Sequence, residues 1–194
     1  MSDTLDPTRT ALLLMDFQNG IVERFGEDGT GILDVAARAI DTARAAGVTI
    51  GYVRVALSAA DAAAVPATNK IFSGVATSGA MRADDPATAV VDAIAPRAAD
   101  IVVRKTRVGA FSTTDLDQQL RDRGIDTLVL GGISTSGVVL STLRDAADRD
   151  YRLLVLADLC ADGDPEVHRV LLEKVFPRQA DVVTSEQLTE LLAD

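Results

Sequence analysis

TLVLGGISTSGVVLSTLRDAADRDYRLLVLAD, residues 127–158, holds two apolar runs separated by one helical segment. Thr127 to Leu130 reads as a strand, Gly137 to Arg149 as a helix, and Arg152 to Ala157 as a strand ending at Asp158. Both strand runs are apolar on both faces, so both faces must be covered. A strand, a helix and a second buried strand make a parallel unit whose helix crosses over the sheet.

The same alternation extends in both directions. Upstream, Ala11 to Met15 is a buried strand ending at Asp16, and Val48 to Val55 is a second. Between them Ile32, Val35, Ala36, Ile40 and Ala43 stand at helical spacing, and Gly47 stops the helix Ile32 to Ala46. A short helix is expected over Pro86 to Ala95, with Asp84 or Asp85 as its cap. Ile101 to Val103 is a third strand, ending at Arg104 and Lys105. Thr114 to Arg123 reads as a helix capped by Ser112 or Thr113, acidic in its first turn and basic in its last. Downstream, Asp164 caps a helix with Pro165 at its first position, running to about Phe176. Val182 and Val183 form a last strand, and Thr184 with Gln187 makes a capping box for a terminal helix. The expected fold is α/β: a three-layer αβα arrangement around a doubly wound, mainly parallel six-stranded sheet. Only residues 56–82, rich in Ala, Ser and Gly, break the pattern; they read as a long loop, either a functional lid or simply mobile.

Composition bounds the function. The 194 residues suit a single domain spanning 1–194. Lys plus Arg number 19 against 29 Asp plus Glu, a net charge of −10, which argues against nucleic-acid and anionic-membrane partners. The first ten residues are polar, and no apolar run approaches the length of a membrane span, so a cytoplasmic protein is expected. One Cys and one His exclude a disulfide framework and a Cys- or His-rich metal site.

Ligands of open α/β sheets bind beyond the carboxyl ends of the strands, where the strand order switches. Three polar features fall at such ends: Asp16, Lys105, and the loop 131–137. Asp16 is either a turn residue or a partly desolvated carboxylate able to move a proton. The Lys105 stem lies among Val102, Val103, Val108 and Phe111; its ammonium would hold a nearby carboxylate ionised and oriented, whereas a proton donor needs the opposite shift, driven by burial. Residues 132–137 carry the first six positions of a phosphate loop, but Val138 replaces its Lys, so nucleotide binding is not expected. Arg54 and Arg107 are candidates for holding a substrate carboxylate, and His168 reads as a surface or interface residue.

Together, ALLLMDFQNGIV (11–22), the stretch 102–162 and DPEVHRVLLEKVF (164–176) resemble the isochorismatase-like hydrolases, the cysteine hydrolase family that includes nicotinamidases and N-carbamoylsarcosine amidases. The resemblance implies a catalytic trio of Asp, Lys and Cys. Asp16 and Lys105 match the first two, and Val138 stands at the nucleophile position. Cys160 follows a different strand and is no substitute. Thiolate attack on an amide therefore does not carry over. Isochorismatases themselves lack the Cys and hydrolyse a vinyl ether, an acid protonating the enol carbon before water captures the cation. The expectation is a cofactor-free and metal-free hydrolase of a small molecule. Asp16 and Lys105 would be its catalytic pair, with Gln18, Ser134, Thr135 and Gly137 as substrate contacts. Ser134 would lie at a cis peptide, and the family implies a homo-oligomer, a dimer or tetramer. The alternative is an inactive member that binds a small molecule or acts as a scaffold.

Overall fold

The computed structural model describes residues 4–193; residues 1–3 of the polar N-terminus and residue 194 lie outside the described residues. Six strands form one sheet: β1 (Thr10–Met15), β2 (Thr49–Val55), β3 (Ile101–Lys105), β4 (Thr127–Ile133), β5 (Arg152–Ala161) and β6 (Asp181–Val183). Their order is β3-β2-β1-β4-β5-β6 and every pairing is parallel. The order reverses between β1 and β4, which places the crevice beyond Met15 and Ile133. The helices are α1 (Asn19–Val22), α2 (Gly26–Ala46), α3 (Ala59–Ala63), α4 (Phe72–Ser78), α5 (Leu116–Asp122), α6 (Leu140–Ala147), α7 (Pro165–Val170) and α8 (Ser185–Leu191). None of these is long and apolar enough to cross a membrane.

Period-two alternation divides β1 between the two faces. Ala11, Leu13 and Met15 join the core under α5 and α6, with Leu116, Leu120, Leu143 and Phe176. Leu12 and Leu14 join the core under α2 and α8, with Ala36, Ile40, Ala43 and Leu188. A strand buried on both sides is thus what the run ALLLM encodes. Gly47 ends α2 at φ 86°, a left-handed position open to a residue without Cβ. The Thr184–Gln187 capping box forms as expected.

Several expected boundaries move: α2 begins at Gly26 rather than Ile32, and β5 continues past Asp158 to Ala161. Four helical segments differ for a local reason. The expected helix 86–95 is two single 3₁₀ turns, because its backbone groups turn to the segment after β1: Ala89 O accepts from Asn19 N–H and Val91 N–H donates to Phe17 O. The helix expected from Thr114 begins at Leu116, because Thr113 Oγ1 is engaged by Thr106 N–H and Thr114 Oγ1 accepts from Leu116 N–H. The expected helix 137–149 opens as a wide π turn, Thr135–Val139, before α6. The helix after Asp164 is α7, a π turn and a 3₁₀ turn containing Pro177, whose missing N–H ends regular helix. Residues 56–82 are not one loop: α3 and α4 pack Phe72 against Val55 and Leu57.

β4 also runs three residues beyond Leu130, through Gly131 and Gly132. Here glycine permits close approach. A Cβ on Gly132 would stand 2.9 Å from both Met15 Cβ and Met15 O. Since the carbonyl belongs to the neighbouring strand, Gly132→Ala is expected to destabilise the fold by about 1–3 kcal/mol. A lower urea midpoint at unchanged slope checks it; equal midpoints would show that the sheet absorbs the methyl group.

Candidate active site

Asp16 follows β1 immediately, at φ 62°. A non-glycine residue rarely adopts this left-handed conformation, and such strain clusters at functional sites. Its N–H donates to Val53 O at 2.8 Å, which fixes the turn against β2. The side chain is buried and meets Lys105, with Nζ to Oδ2 at 2.8 Å and side-chain exposures of 2% for Lys105 and 7% for Asp16. Lys105 reaches it from β3, across β2, where Val55 pairs with Lys105. Its Nζ also donates to Arg107 O at 3.2 Å.

The other carboxylate oxygen, Asp16 Oδ1, is buried without a hydrogen-bond partner among the described residues. The nearby Val55 N–H points instead to Gln18 Oε1 at 2.7 Å. Burial pushes the Asp16 carboxyl up to about 6, against the opposing charge and hydrogen bond of Lys105 and the weaker pull of the nearby Val55 N–H. Desolvation therefore outweighs the ion pair, and the group is poised to hold or release a proton near neutrality.

The turn after β4 forms the adjoining wall. Met15 pairs with Gly132, so Asp16 and Ile133 each follow a residue of the last β1–β4 pair. The Ile133–Ser134 peptide is cis. Ser134 O accepts from Gly137 N–H and Val139 N–H, both at 3.2 Å, which closes the turn. Gly137 leaves room for Ser134 Oγ, which would lie 2.7 Å from an added Cβ. Thr135 is fully buried, and its Oγ1 lies 2.8 Å from His168 Nδ1. Val138 is 2% exposed and belongs to the core cluster of Val53, Val103 and Phe111.

The structure therefore brings Asp16, Lys105 and the turn carrying Ser134, Thr135 and Gly137 to one edge of the sheet. Gln18 has a different position from that expected of a substrate contact. It is fully buried, and both amide hydrogens are used, on Val55 O at 2.9 Å and Thr88 O at 2.8 Å. Gln18 pins the segment 86–90 to β2. Arg54 donates to Thr88 O, and Arg107 lies over the Phe72 ring, 5.4 Å from its centroid. Cys160 is buried in β5 beside Gly132, and burial pushes its thiol up to about 12, far from a reactive thiolate. A cavity of about 400 Å³ between α3 and α4, lined by Leu57, Ala62, Val75 and Arg82, does not include Asp16 or Lys105.

Two contacts at the turn escape sequence reasoning. His168 is not simply a surface residue, and Asp162 accepts from Ser136 N–H at 2.6 Å. Both lie after β5, and nothing in local spacing indicates that this segment folds back onto residues 134–136.

Comparison with known proteins agrees with this arrangement. The isochorismatase domain matches residues 10–187. Ureidoacrylate amidohydrolase RutB of Methylobacterium radiotolerans is 37% identical over 195 residues, covering 88% of this chain and 74% of the relative. The uncharacterised isochorismatase family protein YwoC of Bacillus subtilis is 36% identical, covering 96% of this chain and 95% of its own. Among solved structures, a cysteine hydrolase from Pseudomonas syringae pv. phaseolicola superposes with a TM-score of 0.88 at 26% identity, covering 97% of this chain and 94% of that one. N-carbamoylsarcosine amidase from Thermoplasma acidophilum superposes at 0.73 with 28% identity, covering 92% and 97%. The matched domain, and a relative 36% identical and covered over nearly its whole length, show that this chain belongs to the isochorismatase family of hydrolases.

Proposed function

We propose that the protein is a cofactor-free hydrolase of a small molecule in which Asp16 acts as general acid and Lys105 orients it. The observation that carries this reading is the buried Asp16–Lys105 pair, with Asp16 Oδ1 left unpartnered. Relatives named as an amidohydrolase and an amidase point to C–N cleavage. In this chain Val138 occupies the nucleophile position, so a thioester has no sulfur to form on. Chemistry that needs an acid but no nucleophile fits the residues present. Vinyl-ether hydrolysis is such a reaction. The neutral Asp16 carboxyl transfers its proton to the methylene carbon of an enolpyruvyl ether, leaving an oxocarbenium ion beside the carboxylate. Water adds to the cation, its surplus proton returns to Asp16, and the hemiketal collapses to pyruvate and the freed alcohol. The Asp16 carboxylate left by the transfer stabilises the cation electrostatically.

Incubation with isochorismate, with pyruvate followed by a coupled assay, tests the reading. Pyruvate release that depends on Asp16 is the expected result. Absence of release, together with hydrolysis of ureidoacrylate, would replace the vinyl ether by an amide as substrate. Absence of both would favour the inactive, ligand-binding alternative.

A further inference from the structure

We infer that His168, the single histidine of the chain, is a positioning residue for the reaction, holding the turn beside Asp16 through Thr135. The inference rests on Asp16 being the acid. Thr135 sits directly after the cis-linked Ser134 and is fully buried, so its hydroxyl needs an internal partner. The imidazole supplies one: Thr135 Oγ1 and His168 Nδ1 are 2.8 Å apart. With the ring proton on Nε2, the hydroxyl donates to Nδ1.

A second tether reaches the next residue. Ser136 N–H donates to Asp162 Oδ2 at 2.6 Å. Asp162 Oδ1 also accepts from Asp164 N–H at 3.3 Å, and Asp164 caps α7 through Glu166 N–H and Val167 N–H. The segment 162–168 is thus itself braced, and it grips residues 135 and 136 with two side chains. The turn it grips has a widened π geometry and follows β4, which pairs with β1 up to Met15, the residue before Asp16. His168 touches no reacting atom on this geometry. It fixes the wall against which a substrate is placed, and placement errors of an ångström are costly to the chemical step.

The test uses His168→Ala, His168→Asn and Thr135→Val, in the full chain. The amide of Asn can present an acceptor near the place of Nδ1, and Val fills the space of Thr without its hydroxyl. Two readouts are taken: backbone amide exchange over residues 134–139, and the separate values of kcat and KM with isochorismate. In the Ala and Val variants, exchange over 134–139 is expected to quicken about 3–10-fold, the loss of one hydrogen bond. kcat is expected to fall about 100-fold while KM holds within about two-fold. Asn restores both. Unchanged exchange over 134–139 overturns the inference, as does faster exchange with unchanged kcat, or an Asn variant as slow as Ala. Should His168→Ala fail to fold, Thr135→Val reads the same bond. A wild-type protein that turns over neither isochorismate nor ureidoacrylate overturns the proposed function, and with it the positioning role in that reaction; exchange then reports separately on whether His168 holds the turn.

Discussion

Replacing Asp16 with Asn is expected to abolish hydrolysis and, at neutral pH, to make the folded chain more stable. Loss of a general acid costs about 10²–10⁴-fold in rate. The stability effect follows from the Asp16 carboxyl being pushed up to about 6, well above the ordinary 3.8 of an aspartate. A group whose folded pKa is raised favours folding fully below its unfolded pKa, and that contribution is lost as pH rises through the folded value. Between pH 4 and 6 the unfolded chain releases the proton while the folded chain retains it, so stability declines by up to about 3 kcal/mol. Asn imitates the neutral carboxyl and does not titrate. The variant should therefore match the wild type near pH 4 and exceed it by up to about 3 kcal/mol at pH 8. Chemical unfolding of both proteins at the two pH values measures this difference. A variant less stable than the wild type at pH 8 would mean that the ion pair outweighs the burial of the charge, and that Asp16 is ionised too readily to serve as an acid. A functional residue that lowers the stability of its own protein is a common trade between stability and activity.

Lys105→Met is expected to move the pH profile rather than simply reduce the rate. The acid must be protonated, so kcat/KM of the wild type should decline as pH rises past about 6. The ammonium of Lys105 opposes the upward shift through its charge and its hydrogen bond. Removing it leaves burial unopposed, and the descending limb should move up by about 1–3 pH units. The maximal rate should fall as well, by about 100-fold, because the carboxyl loses the bond that orients it. Met fills the same volume without a charge, which limits the loss of packing. A rate profile over pH 4–9 for both proteins checks the shift. A limb that stays in place would assign it to another group and remove Asp16 from the protonation step.

Much of this protein was legible along the chain. The runs ALLLM and LLVL, apolar at every position, demand cover on both faces, and the helices between them supply it. Asp16 is visible because it directly follows such a run, and Lys105 because it closes the strand begun by the short apolar run Ile101–Val103, both at the strand ends where ligands bind. Val138 was visible as a departure from a motif.

What the chain did not disclose are features that depend on distant partners. Gln18 looks like any polar turn residue until β2 and the segment 86–90 converge on its amide. Gly131 and Gly132 look like a flexible loop until β1 and Leu159 crowd them, leaving no room for a Cβ within β4. His168 looks like a helix residue facing solvent until α7 turns it onto Thr135. Periodicity and capping are local, set by which residues can satisfy one another within a few positions, and so they can be read from the sequence. The pairing of Asp16 with Lys105, the burial that raises the carboxyl's pKa and the brace on the β4 turn join residues far apart in the chain. Only the packed sheet, which brings the strand ends together and excludes water from them, decides those.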